Sequence, residues 1–211
     1  MGDDVETVRG SAITIHFDHG KCIHARQCVL GLPQVFVPNV PGAWIHPDAA
    51  PAEDIAALAR SCPSGAIRYQ RHDGAADEAP PPVNLVRIRE RGPLAFHGEL
   101  TIGDQPALRA TLCRCGASQR KPYCDGSHAT CGFEASGEPT TRTSEPLAER
   151  AGPVTITPAP DGPLLVTGNL EVVSGTGRTV DRVEKCALCR CGQSGNKPYC
   201  DGTHRKIGWK A

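Results

Sequence analysis

The sequence predicts an α+β chain: one α+β domain at the N-terminus, then two small β-rich units. Two observations carry this reading. Residues 10–72 order their apolar segments as strand, loop, strand, helix, strand, whereas a sixteen-residue stretch rich in cysteine occurs twice further on. The copies run from Cys113 to His128 and from Cys189 to His204. Every cysteine and histidine in them keeps an offset of 76, and the copies align without a gap within the motif.

In the N-terminal domain, Ala12 to Phe17 alternates apolar and polar residues and reads as a strand. After Cys22-Ile23-His24-Ala25-Arg26-Gln27-Cys28 and a loop, Ala43 to Pro47 reads as a second short strand. Pro51 to Arg60 reads as a helix entered through proline. Cys62-Pro63 follows, and Ala66 to Gln70 reads as the closing strand. The acidic, proline-ended run 73–82 is then a linker whose prolines should hold the domains apart semi-rigidly.

The repeat begins upstream of the cysteines. Gly92 to Leu100 corresponds to Gly162 to Leu170 at an offset of 70, so the second copy carries six extra residues, expected in the turn Ser174 to Arg178. Each unit reads as a strand (Val83 to Arg89; Val154 to Thr157), a second strand (Leu94 to Ile102; Leu164 to Val173), and a strand or loop into the motif. The aromatic that follows each motif, Phe133 or Trp209, also repeats. The expected domains are therefore 1–72, 83–137 and 153–211, with linkers 73–82 and 138–152. A unit of about 55 residues is too small to bury much core alone.

Each copy is a Cys3His1 donor set. In the first, Cys113 and Cys115 flank one residue, while Cys124 and His128 stand four apart on a helical turn; Cys189, Cys191, Cys200 and His204 repeat this. Two ligands at each end of the motif suit a rhombic two-iron cluster. Asp125 and Asp201 stand where an N-cap would start the turn, and the glycine after each would let the backbone approach a cluster. Zinc is the competing occupant, since Cys3His is a zinc set too, although C-x-C is tighter than the usual zinc spacing.

The two stretches resemble the CDGSH (NEET-type) iron–sulfur family at every position of its pattern, with Thr203 in the serine slot. The resemblance implies two [2Fe-2S] clusters, each with its first two cysteines on the inner iron and its third cysteine and histidine on the outer one. It also implies that the two units pair about an internal pseudo-two-fold axis, giving a monomer with an internal pseudo-dimer. Around the ligands, Arg114, Arg190, Lys121 and Lys197 read as cations that favour the reduced state, unless they are ordinary solvated charge. Ser118 and Ser194 read as hydrogen-bond donors to cluster sulfur.

The N-terminal domain resembles a divergent single-cluster bacterial-type ferredoxin, making it ferredoxin-like. That pattern is C-x2-C-x2-C followed later by C-P. Here Cys22, Cys28 and Cys62 supply three thiols, and position 25 is alanine. Three outcomes stay open: a [3Fe-4S] cluster; a [4Fe-4S] cluster with water or His24 on the fourth iron; or a domain that kept the shape without the cluster.

Two of the eleven cysteines remain. Cys131 aligns with Ile207 and is expected to pack as an apolar side chain, and Cys186 aligns with Ala110, which argues against a ligand. With 23 basic and 23 acidic residues, the chain lacks the charge that nucleic acid binding requires. Met1-Gly2-Asp3-Asp4 is acidic with no apolar run behind it, and no stretch reaches the ~18 apolar residues of a membrane helix. Thiols without an export signal suggest a cytoplasmic protein. Its expected role is one-electron transfer, with cluster storage and transfer to acceptor proteins, or a zinc-stapled interaction module, as alternatives. Redox or cluster-acceptor proteins are the expected partners, and no enzyme activity of its own is expected.

Overall fold

Alternating Ile13, Ile15 and Phe17 give strand β2 (Ile13–Asp18) its buried face. A computed structural model describes residues 5–211, so the acidic start Met1 to Asp4 lies outside the described residues. Two units divide at Ala79/Pro80.

In the first unit, β2 is the centre of an antiparallel sheet ordered β1-β2-β3, with β1 at Val5–Arg9 and β3 at Ile67–Arg71. Helix α1 (Gln27–Gly31) carries Cys28. Helix α2 (Ala52–Ser61) starts behind Pro51, has Glu53 and Asp54 in its first turn and Arg60 in its last, and buries Ile55, Ala56 and Ala59. It stops at Cys62-Pro63 because proline lacks the N–H needed to continue. Gly31 lets α1 lie against α2: a Cβ there would stand 2.5 Å from Leu58 Cδ1.

Two elements differ from the sequence reading. The expected strand at Ala43 to Pro47 is a single bridge between Phe36 and Ile45, since Pro41 and Pro47 on either side remove donors from any longer ladder. Strand β1 and helix α1 were not expected.

The second unit contains β4 (Leu85–Ile88), β5 (Leu94–Ile102), β6 (Gln105–Leu112), β7 (Pro153–Pro158), β8 (Leu164–Val173) and β9 (Thr179–Leu188). Each repeat folds as an antiparallel meander, and the two exchange strands. Strand β4 pairs in parallel with β8 (Leu85 opposite Glu171), and β7 pairs in parallel with β5 (Thr155 opposite Thr101). Adding the repeat offset of 70 to Leu85 and subtracting it from Glu171 turns the first pairing into the second. The ladders break at equivalent places too, between His97 and Leu100 and between Thr167 and Leu170. There each long strand leaves one neighbour for the next.

One core serves both repeats. Val86, Leu94, Phe96, Leu100 and Ile102 share it with their counterparts Ile156, Leu164, Val166, Leu170 and Val172. Asn84, 1% exposed, ties the exchange point: its Nδ2 donates to Gly152 O and Asn169 O, and its Oδ1 accepts from Glu99 N. Of the six extra residues in the second repeat, three lengthen the turn after β8, one lengthens β8 and two lengthen β9. The expectation that the turn takes them all is thus half met. The segment between the repeats is fastened along the second one by Gly175 N to Gly137 O, Arg142 N to Val180 O and Arg182 N to Ser144 Oγ.

Candidate metal centres

Strand β6 delivers Cys113, and the chain then loops back so that Tyr123 bridges Leu112. Cys113 N donates to Pro122 O (2.8 Å) and Cys124 N to Thr111 O (2.9 Å), which places the first and third cysteines on adjacent antiparallel segments. The second motif repeats this with Cys189 N to Pro198 O and Cys200 N to Ala187 O. Short turns, Ser127–Ala129 and α3 (Thr203–Lys206), then bring each histidine back over the third cysteine.

The donors stand as two pairs in each motif. Cys113 Sγ and Cys115 Sγ are 3.8 Å apart, as are Cys189 Sγ and Cys191 Sγ; Cys124 Sγ to His128 Nδ1 and Cys200 Sγ to His204 Nδ1 are both 3.3 Å. Two thiolates on one tetrahedral metal, each about 2.3 Å from it, stand about 3.8 Å apart. Each pair therefore matches one metal atom. Among the described residues no three His, Cys, Asp or Glu are grouped around a single ion, and the donors of each motif stand as two close pairs.

Burial sets the protonation of these thiols. Desolvation raises Cys124 to about 11 and also raises Cys191. A hydrogen bond within the Cys113/Cys115 pair lowers Cys113 to about 6 and raises Cys115. Such a pair holds one proton that a metal must displace. His128 is lowered by desolvation, which favours the neutral, ligating form. The histidines differ in exposure: His204 is 7% exposed, whereas His128 is only half-buried.

Side chains around the donors are tied to backbone carbonyls. Ser118 Oγ donates to Tyr123 O and Ser194 Oγ to Tyr199 O, so both hydroxyls close their own loops instead of donating to a cluster. Lys121 and Lys197 place Nζ 2.6 Å from Ser118 O and Ser194 O. Arg114 and Arg190 are not solvated charges. Both are buried, Arg114 donating to Arg89 O and Ser136 O, and Arg190 to Gly162 O and Ala159 O. Desolvation lowers Arg114 to about 10. Their guanidinium groups lie over the repeated aromatics, 5.6 Å from Phe133 and 5.2 Å from Trp209.

Asp125 and Asp201 precede the caps, which are the left-handed Gly126 and Gly202. Each aspartate instead ties the turn to the loop: Asp125 accepts from Ser127 N and Gln119 N, and Asp201 from Thr203 N and Gly195 N. A Cβ at Gly126 or Gly202 would meet no protein atom within 4 Å, and their φ values of +88° and +85° call for glycine. The close approaches lie at Gly116 and Gly192, which sequence reasoning missed. Their signal was present, a glycine after the second cysteine of both copies.

Cys186 packs against the core opposite Val166, and burial raises it to about 12, as suits a core thiol. Cys131 is exposed, contrary to expectation, and its apolar counterpart Ile207 is itself 50% exposed.

In the first unit, Cys22, Cys28 and Cys62 line one cavity of about 570 Å³ together with His24 and Ser64. Desolvation raises both Cys22 and Cys28. Thiolates are the donors that iron–sulfur clusters take, so these three could hold one.

A family model described as the iron-binding zinc finger of CDGSH type matches residues 91–129 and 161–205, and one for a divergent 4Fe-4S mono-cluster matches residues 8–72. No curated protein and no solved structure matches the chain. No helix among the described residues is long and apolar enough to cross a membrane.

Proposed function

Because the chain is a CDGSH-type iron-binding protein with its motif in tandem and a divergent 4Fe-4S mono-cluster domain ahead of it, we propose that it holds two [2Fe-2S] clusters and carries single electrons. The observation that carries this reading is the split of each donor set into a thiol pair at 3.8 Å and a thiol–imidazole pair at 3.3 Å. Cys113 and Cys115 hold one iron and Cys124 and His128 the other; Cys189 with Cys191 and Cys200 with His204 do the same in the second motif. The N-terminal thiols Cys22, Cys28 and Cys62 hold a third cluster.

When bound, a [2Fe-2S] cluster takes up and releases one electron, and an imidazole in place of a thiolate makes it easier to reduce. The chain's residues add to that direction. Arg114 and Arg190 keep positive charge buried beside the ligands, where little water screens it, and so favour the added negative charge. The reciprocal β4–β8 and β5–β7 registers support a monomer whose repeats pair about an internal two-fold axis. Eleven free cysteines suit a reducing compartment such as the cytoplasm. The partners are redox proteins, and the chain's role is that of a carrier rather than an enzyme.

The half-exposed His128 favours a second reading, cluster donation through the first motif. Mixing the loaded, reduced protein with an apo-ferredoxin and with an oxidised holo-ferredoxin separates the two. Electron exchange with the holo form and no cluster movement supports the carrier; cluster appearing on the apo form supports donation.

A further inference from the structure

We propose that His24 supplies the fourth iron ligand of the N-terminal cluster, completing a Cys3His set of its own; this rests on the reading that Cys22, Cys28 and Cys62 hold a cluster. A four-iron cluster needs four protein donors to be closed, and the cavity provides three thiols. Position 25, where the C-x2-C-x2-C pattern would place its middle cysteine, is alanine and offers no sulfur.

Most other donors lining the cavity are committed. His19 stacks edge-on against Phe17 with centroids 4.5 Å apart, and its Nε2 is 3.5 Å from Glu6. Ser64 Oγ accepts from Ala66 N beside Cys62 Sγ. Asn39 and Gln27 carry amides, poor donors to iron compared with imidazole. His24 is left, and its ring engages no side chain among the described residues.

The backbone turns toward the same conclusion. His24 has φ +54° and Arg26 φ +62°, two non-glycine residues in the left-handed region within three positions. Such residues are strained and persist where the surroundings require them. Both side chains are exposed, so apolar packing does not compensate. What this conformation achieves is local: it folds the loop over the first thiol, with His24 N donating to Cys22 Sγ at 3.4 Å, and keeps His24 among the residues that line the cavity.

The test uses the full chain, reconstituted anaerobically with iron and sulfide, as the parent and as His24→Ala and His24→Cys. Oxidised two-iron and four-iron clusters are silent in electron paramagnetic resonance, whereas an oxidised three-iron cluster is not. The parent should carry about eight irons per chain and be silent when oxidised. His24→Ala should lose at least one iron and, where three remain, show the three-iron signal; His24→Cys should restore both the iron and the silence. The proposal is overturned if His24→Ala keeps the parent's iron, if His24→Cys does not restore it, or if the parent already shows a three-iron signal or only about four irons. The paired clusters are scored separately in Cys22→Ser, which should keep their four irons, about half the parent's total, whatever His24 does.

Discussion

Gly116 and Cys191 meet backbone to backbone: a Cβ on Gly116 would stand 2.5 Å from the Cys191 carbonyl oxygen. Seventy-six residues on, Gly192 stands in the same relation to Cys115, at 2.4 Å. Each ligand loop is thus lodged against the other's second cysteine, and Trp209 Nε1 adds a bond to Gly116 O. The two metal centres share one scaffold at the level of the loops as well as of the sheet.

Gly116→Ala therefore meets a carbonyl that cannot swing aside, at φ +85°. It should destabilise the chain by at least about 2 kcal/mol, whereas Gly126→Ala, with open space at φ +88°, should cost only about 1 kcal/mol. Urea unfolding of the two variants measures the difference, and equal midpoints would contradict the interlocked loops.

Arg114 ties its ligand loop to the β4–β5 turn and to the segment after the motif through two carbonyls. Arg114→Met should cost about 2–3 kcal/mol, and Arg114→Lys should recover less than half, since one ammonium does not span the two acceptors. Thermal unfolding of the pair of variants reads this directly.

Asn84 satisfies backbone groups of both repeats at their exchange point. Asn84→Ala leaves buried peptide groups unpaired and should destabilise the second unit by about 3 kcal/mol. Hydrogen exchange should show β4, β5 and β8 losing protection together.

Acid should remove the first cluster. Ligation needs a neutral imidazole, so proton competition grows as pH falls; burial, which lowers His128, delays it but does not abolish it. His128→Cys should thus prolong the visible absorbance at mildly acidic pH by several-fold; an unchanged loss rate would contradict proton competition at the imidazole.

Much of this architecture could be read before any coordinates. Strands β5 and β8 have the expected bounds because both alternate strongly and are entered through Gly-Pro, and the motif cysteines and histidines picked out by their spacing stand as close pairs. What escaped was long-range or short. The parallel β4–β8 and β5–β7 pairings join residues as far apart as Leu85 and Glu171, or Leu100 and Val154, and leave no local pattern. Helix α1 has five residues and a left-handed entry at Arg26, too little for periodicity. The exposure of Cys131 and the carbonyl partners of Ser118 and Arg114 escaped for one reason: residue type suggests a partner, but only the fold determines whether a carbonyl or solvent is nearest.

The central claim is two irons per motif, and the measurement that tests it most directly is metal and sulfide analysis with a visible spectrum on anaerobically purified Cys22→Ser, in which the paired motifs are the sites left intact. The account predicts a red protein with about four irons, matching sulfide and little zinc. A colourless protein with about two zincs after iron-replete preparation would contradict it and make the repeats structural modules.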